Sequence, residues 1–314
     1  MTLKLGYLLP TRERAMAGLH DTDRILELAE LAEEIGLDSV WVGDSVIAKP
    51  RHDPIVLLAA IAARTERIAL GTGVLVPMLR NPVLLAHQLA TLDRISRGRF
   101  VFGVGMARDV PAIHAEFAAM GVPFERRVGR MLEGLRLCRA LWAGGPVDWD
   151  GRWRLEGARL APEPFTPGGP GIWGGGGVPA ALRRCAAHFD GWFPSGRGAG
   201  GADWGADWRT LRALAEDAGR DPTEIAGAAY VTVAIDDDPR AAEAELERYL
   251  VRYYNLPAGR IRTEEYVFAG DRAAVAGWLA GFAEAGCTHL CVRAIGADGA
   301  RRMEELAGLR ERIG

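Results

Sequence analysis

The stretch that decides the fold runs from Arg67 to Arg108, RIALGTGVLVPMLRNPVLLAHQLATLDRISRGRFVFGVGMAR. Ile68 to Val76 is an apolar, β-branched run, which suits a strand covered on both faces. Asn81-Pro82 then opens a helix, a capping residue followed by proline at the first helical position. Leu84, Leu85, Gln88, Leu89 and Leu92 recur along it at three- and four-residue spacing. Ser96-Arg97-Gly98-Arg99 ends the helix, and Phe100 to Val104 makes a second buried strand. The stretch is one βαβ unit, which calls for parallel strands and a right-handed crossover. Both strands break into small residues at their C-terminal ends, Gly71-Thr72-Gly73 and Gly103-Val104-Gly105. Strand glycines mark a bulge or a place where a ligand approaches the backbone.

The same rhythm extends in both directions. Upstream, Leu3 to Leu9 reads as a strand, Asp21 to Ile35 as an amphipathic helix closed by Gly36, and Asp38 to Gly43 as a second strand ending at Asp44-Ser45. A loop with Lys49, Arg51 and His52 leads to a helix from Ile55 to Thr65. Downstream come a short helix (Pro111 to Met120), a long one (Glu125 to Trp142) and a hairpin insertion at about Val147 to Leu160. Gly171 to Gly177 is a short strand running into a glycine loop, Pro179 starts a helix to His188, and Asp190 to Phe193 is another short strand. Gly198 to Gly205 reads as a loop, Trp208 to Gly219 as a helix, Ala226 to Ile235 as a strand and Pro239 to Tyr253 as a long helix. Asn255 to Glu265 is a loop or short helical excursion. A helix from Asp271 to Ala285, a strand from Thr288 to Ala294 and a helix from Asp298 to Arg312 complete the pattern. Eight strand candidates, starting at residues 3, 38, 67, 99, 171, 190, 226 and 288, alternate with helices. The expected class is α/β, a single (β/α)8 TIM barrel over residues 1–314 with insertion segments at its C-terminal mouth. A doubly wound open sheet is the runner-up.

Composition narrows the partners. The 314 residues are 49% hydrophobic and 25% charged with net charge -3, which gives no reason to expect nucleic acid or an anionic membrane surface. No apolar run reaches membrane-spanning length, and Met1-Thr2-Leu3-Lys4 leads directly into a strand, so a cytoplasmic protein without a signal peptide is expected. Cys138, Cys185, Cys287 and Cys291 form no close metal-type pair and are expected as buried free thiols.

In a barrel the ligand sits at the C-terminal ends of the strands. That rule selects Tyr7, Asp44, Ser45, Gly73, Val74, Met78, Arg80, Gly105, Arg108, Trp173 to Gly177, Ser195 to Arg197 and Arg293. Two features stand out among them. Gly174, Gly175, Gly176 and Gly177 lead into a helix N-terminus, where free amides and the helix dipole favour an anion. Ser195-Gly196-Arg197, after the next strand, adds a hydroxyl, an amide and a guanidinium, a set suited to phosphate. By contrast, the six histidines show no metal-ligand spacing and no nucleophile–base arrangement can be built. An organic cofactor is therefore expected to carry the chemistry.

The glycine-bearing βαβ stretch resembles the third and fourth barrel strands of the bacterial luciferase-like monooxygenase superfamily. So do Gly36-Leu37-Asp38-Ser39-Val40-Trp41-Val42-Gly43-Asp44, Gly121 to Arg127, Ile172 to Gly177 and Asp190 to Pro194. The resemblance covers nearly the whole chain and implies reduced FMN with oxygen, or the deazaflavin coenzyme F420 with hydride transfer. It implies a bulge at Gly73-Val74, with a non-proline cis peptide, behind the cofactor ring. Tyr7, Thr72, Gly105, Gly174, Gly175 and Gly196 join it as expected cofactor contacts, and Gly176, Gly177, Ser195 and Arg197 take the cofactor phosphate. Asp44 matches an acidic position beside the ring. Two departures are visible: many relatives have His where this chain has Ser45, and some deazaflavin-dependent dehydrogenases have Glu where it has Arg108. Asp44, Ser45 and Arg108 are the catalytic candidates, and no metal is expected.

On this basis the leading expectation is a two-component monooxygenase that takes reduced FMN from a separate reductase and oxygenates a small organic substrate. The alternative is an F420-dependent reductase or dehydrogenase. A non-catalytic flavin-binding barrel is third. The resemblance also implies a homodimer through early barrel helices.

Overall fold

The computed structural model describes residues Leu3 to Ile313, so the reading of Met1-Thr2 lies outside it. In chain order the elements are β1 (Lys4–Leu8), α1 (Thr11–Met16), α2 (Asp23–Glu34), β2 (Ser39–Val42), α3 (Pro54–Arg64), β3 (Ala69–Thr72), α4 (Pro82–Ser96) and β4 (Phe100–Val104). Next come α5 (Pro111–Ala119), α6 (Arg127–Trp142), the hairpin β5 (Val147–Asp150) and β6 (Arg154–Ala158), β7 (Ile172–Gly174), α7 (Pro179–His188) and β8 (Gly191–Trp192). The last group is α8 (Gly201–Asp217), β9 (Ala226–Ile235), α9 (Pro239–Tyr254), α10 (Ala258–Glu264), β10 (Tyr266–Gly270), α11 (Arg272–Glu284), β11 (His289–Ala294), α12 (Gly299–Ala307) and α13 (Arg310–Ile313). The strand order β1-β2-β3-β4-β7-β8-β9-β11, with helices between strands, is that of the expected (β/α)8 barrel. β5 and β6 pair antiparallel as the expected hairpin insertion.

The chain divides into two compact units. One comprises residues 1–41 and 172–314, the other Val42 to Gly171. In the first, β1 lies between β2 and β11, all parallel, with Lys4 opposite His289 and Gly6 opposite Ser39. A Cβ at Gly6 would stand 2.0 Å from the Ser39 oxygen, so only glycine admits that neighbour. His289 Nε2 and Ser39 Oγ are 2.7 Å apart, and the Trp41 indole N–H donates to the same hydroxyl. Around them Trp41, Trp173 and Phe193 pack with ring centroids 4.7–6.1 Å apart. A second aromatic cluster, Trp192, Trp204 and Trp208, fills the space between β8 and α8. Burial holds the His289 imidazole neutral, its pKa down at about 4, with Lys4 adding repulsion.

β10 is an element the sequence reading passed over. β9 pairs with β8 through Ala226 and Gly227, and further along with β10 through Val231 to Ile235. A two-residue β8 leaves most of β9 without a partner on that side, and Tyr266-Val267-Phe268-Ala269-Gly270 supplies one. The expected loop at Gly198 to Gly205 is also corrected: α8 already starts at Gly201. Cys138, Cys185, Cys287 and Cys291 are all buried and free.

The second unit is built on β3 and β4, with Leu70 opposite Phe100. Pro54 and Pro82 sit at the first position of α3 and α4, where Asp53 and Asn81 accept from the first free amides. The expected continuous strand Ile68 to Val76 is not continuous. β3 stops at Thr72, the Gly73–Val74 peptide is cis, and pairing with β4 resumes at Leu75 before a short 3-10 turn at Pro77–Leu79. α4 packs on α6, where the Trp142 indole donates to the Ala86 carbonyl. Among the described residues no helix is long and apolar enough to cross a membrane.

Candidate active site

In the first unit, two loops meet beside α7. Gly174 closes β7, and its missing side chain is a packing requirement, because a Cβ would meet the Phe189 ring at 2.0 Å. Gly176 adopts φ +101°, and its carbonyl accepts from the Trp192 indole at 2.9 Å. A Cβ at Gly177 would touch Asp207 Oδ2 at 3.1 Å and the Arg197 Cβ at 3.5 Å, so the glycine loop and the Ser195–Arg197 loop lie side by side. Gly196 presses on the backbone of Glu265, 2.3 Å from where a Cβ would be. Among the described residues, the amides of Gly176, Gly177, Val178, Ser195, Gly196 and Arg197 donate to no internal acceptor. Six open N–H groups, the Ser195 hydroxyl and the exposed Arg197 guanidinium are carried by two loops that lie side by side at the start of a ten-residue helix. Such a set binds an anion. Asp207 sits beside it, and burial raises its pKa, with Asp203 adding repulsion against the pull of Arg197.

Tyr7, at the end of β1, is buried, and its hydroxyl reaches toward the Gly299 carbonyl at 3.5 Å. It lines a cavity of about 820 Å³ in the same unit, together with Arg293 at the end of β11.

The second unit brings together Gly73, Val74, Gly105 and the residues after β2. A Cβ at Gly105 would stand 2.3 Å from Val74 Cγ2, so the bulge requires a bare residue on the neighbouring strand. Thr72 Oγ1 donates to the Gly103 carbonyl at 2.7 Å, which ties β3 to β4 and commits that hydroxyl to the wall. Asp44 is held by Arg80 through two contacts of 2.7 and 3.0 Å and accepts from the Val76 amide at 2.9 Å. Arg80 also binds Asp53, at 3.0 Å. Arg80, one of the strand-end residues selected from sequence, is thus enclosed by two carboxylates, which raise its pKa against the effect of burial.

Ser45 is also committed. It donates to Glu116 at 2.9 Å and accepts from the Lys49 amide at 2.8 Å. The same Glu116 oxygen accepts from the amides of Val46, Ile47 and Ala48 at 2.7–3.1 Å. Glu116 is 1% exposed. The sequence reading missed it because a glutamate in a short helix passes for a solvated one. The signal was present: Ile113, Glu116 and Phe117 share the buried face of α5 at i, i+3, i+4 spacing. Arg108 is half-buried in the loop after β4. Among the described residues no cluster of His, Cys, Asp and Glu could hold a metal ion.

The fold and these loops define a barrel oxidoreductase. A family model for luciferase-like monooxygenases matches residues 3–296, and the chain belongs to that family. It is 30% identical to an F420-dependent glucose-6-phosphate dehydrogenase from Rhodococcus erythropolis, over 96% of this chain and 95% of that one. Its backbone is similar to that of the monooxygenase RslO1 from Streptomyces bottropensis, with a TM-score of 0.82, 26% identity and 98% coverage of both chains. It is similar in fold to an F420-dependent secondary alcohol dehydrogenase solved with an F420-acetone adduct, with a TM-score of 0.83, 20% identity and full coverage of both. These relatives correct the leading expectation of a two-component reduced-FMN monooxygenase. The higher identity, sustained over nearly all of both chains, is to an F420-dependent dehydrogenase.

Proposed function

We propose that this protein is an F420-dependent oxidoreductase that moves a hydride between the deazaflavin and a small organic substrate. The observation that carries the reading is the open donor set of the first unit, taken with the full-length F420-dependent relative. Gly176, Gly177, Ser195, Gly196 and Arg197 would hold the cofactor phosphate. Gly73 and Val74, with Gly105 bare beside them, would back the ring. When bound, the deazaflavin supplies the hydride acceptor or donor.

The protein's own part is to bind and orient. Asp44 fixes the segment that follows the bulge through Arg80 and the Val76 amide, and Ser45 and Glu116 fix the loop after β2. Asp44 accepts three bonds from Arg80 and the Val76 amide, and Ser45 donates to Glu116 and accepts from the Lys49 amide, so both act as positioning residues. Arg108, half-buried in the loop after β4, is a further candidate for contact with substrate. A separate enzyme that turns the cofactor over is part of this reading, as is a homodimer, which the exposed Val56 and Leu84 on α3 and α4 support.

Titration with F420, followed by its fluorescence, tests the assignment. Micromolar binding that is weakened by Arg197→Ala is expected. Binding of reduced FMN with oxygen uptake, and none of F420, would overturn it.

A further inference from the structure

Glu245, Arg248, Tyr249, Arg252 and Tyr253 recur at three- and four-residue spacing on α9, which places them on one face of the helix. The Tyr249 and Tyr253 rings stack with centroids 5.2 Å apart. This face forms one wall of the cavity of about 820 Å³ at the C-terminal ends of β1 and β11, a size ordinary for small-molecule sites.

The charges on the wall fall into two groups. Each carboxylate has a partner: Glu13 accepts from the Tyr249 hydroxyl, Glu245 lies 3.7 Å from Arg302, and Asp298 caps α12. Most cations are committed as well. Arg14 pairs with Asp21 and Arg24 with Glu27, while buried Arg293 donates to the Tyr253 and Tyr254 hydroxyls. Arg248 and Arg252 differ. Both are exposed, both line the cavity, and among the described residues neither has an ion-pair or side-chain hydrogen-bond partner. The remaining wall is apolar: Leu8, Leu28 and Ile295 line the cavity, joined by Met16 and Leu19, which are 37% and 50% exposed.

We infer that this cavity takes a substrate with an apolar body and one anionic group, the anion held by Arg248 and Arg252 and the body laid on the Tyr249–Tyr253 stack and the leucine side chains. Two guanidinium groups one helical turn apart suit a carboxylate or phosphate. A polyhydroxylated body would find few open hydrogen-bond partners away from Arg248 and Arg252, because most other polar side chains of the wall already have partners within the protein, and buried hydroxyls without partners are costly. The substrate is therefore of a different class from a sugar phosphate. The inference rests on the oxidoreductase reading only in treating the ligand as substrate.

Calorimetric titration with 3-phenylpropionate, 3-phenylpropanol and glucose 6-phosphate tests it, on the wild-type protein and on Arg248→Gln and Arg252→Gln, with F420 titrated separately against each. The acid should bind at least about tenfold more tightly than the alcohol or the sugar phosphate. Each variant should weaken the acid by about tenfold while leaving the alcohol and F420 unchanged. Equal binding of acid and alcohol, or variants that bind the acid as well as wild type, would overturn the anion assignment. Tighter binding of glucose 6-phosphate than of the acid would overturn the apolar body. Loss of F420 affinity in the variants would give the two arginines to the cofactor and overturn the proposal. Failure of the F420 reading itself looks different: a wild-type protein that binds the acid and ignores F420.

Discussion

The two units handle their polar groups in opposite ways. In Val42 to Gly171, two of the catalytic candidates are held in bonded networks: Asp44 with Arg80, Arg80 with Asp53, and Ser45 with Glu116. In the other unit, the glycine loop and the Ser195–Arg197 loop present amides, a hydroxyl and a guanidinium that, among the described residues, make no hydrogen bond within the chain. A closed network gains stability from each bond and loses it when one member is removed. An open set contributes little to folding and waits for a ligand. Polar residues at strand ends therefore carry different meanings, and their hydrogen-bond partners separate them.

That contrast can be tested from its strongest consequence downward. Asp44→Ala leaves the Arg80 guanidinium, a largely buried cation, with only the half-exposed Asp53. Removing one partner of such a pair costs about 3–5 kcal/mol, a loss that urea denaturation would register. A stable Asp44→Ala protein would mean that the network is not closed. Glu116→Ala strips one acceptor from three amides and a hydroxyl and should cost about 3 kcal/mol, with Glu116→Gln recovering part of it.

His289 gives a pH signature to the first unit. Its folded pKa, about 4, lies below the ordinary histidine value of 6.5, so the unfolded chain takes up the proton first as pH falls. Stability from this group is complete above about pH 6.5 and is lost as pH falls toward 4, by about 3 kcal/mol in all. The slope of stability against pH over that window should be shallower in His289→Asn; an identical slope would assign the proton uptake elsewhere. Gly105→Ala should cost about 2 kcal/mol through its collision with Val74. The smallest effect on folding belongs to the open set: Arg197→Ala should leave the melting temperature unchanged and weaken binding of the anionic cofactor by about tenfold.

Much of the barrel was legible because apolar strands and capped helices alternate without ambiguity. Asn81-Pro82 and Asp53-Pro54 mark helix starts that the structure keeps. The bulge at Gly73-Val74 came from the resemblance, and the reason for Gly105 became visible only with Val74 lying against it. β10 was missed because its need arises from the shortness of β8, a tertiary fact that local pattern does not carry. The donor set after β7 and β8 was readable from glycine, serine and arginine at the ends of adjacent strands. Glu116, Asp53 as a second partner of Arg80, and the face of α9 were not, because each depends on residues far apart in the chain meeting in space. Ser45 shows the limit most clearly. Sequence offered it as a replacement for a reactive histidine, whereas its hydroxyl is bonded on both sides within the loop it helps to hold.

The most direct test of the account is a side-by-side titration of the purified protein with F420 and with FMN, oxidised and reduced, before and after Arg197→Ala. The account predicts micromolar F420 binding that the substitution weakens, with no oxygen uptake when reduced FMN is supplied. Tight FMN binding with oxygen consumption, and F420 binding that is absent or indifferent to Arg197, would contradict it.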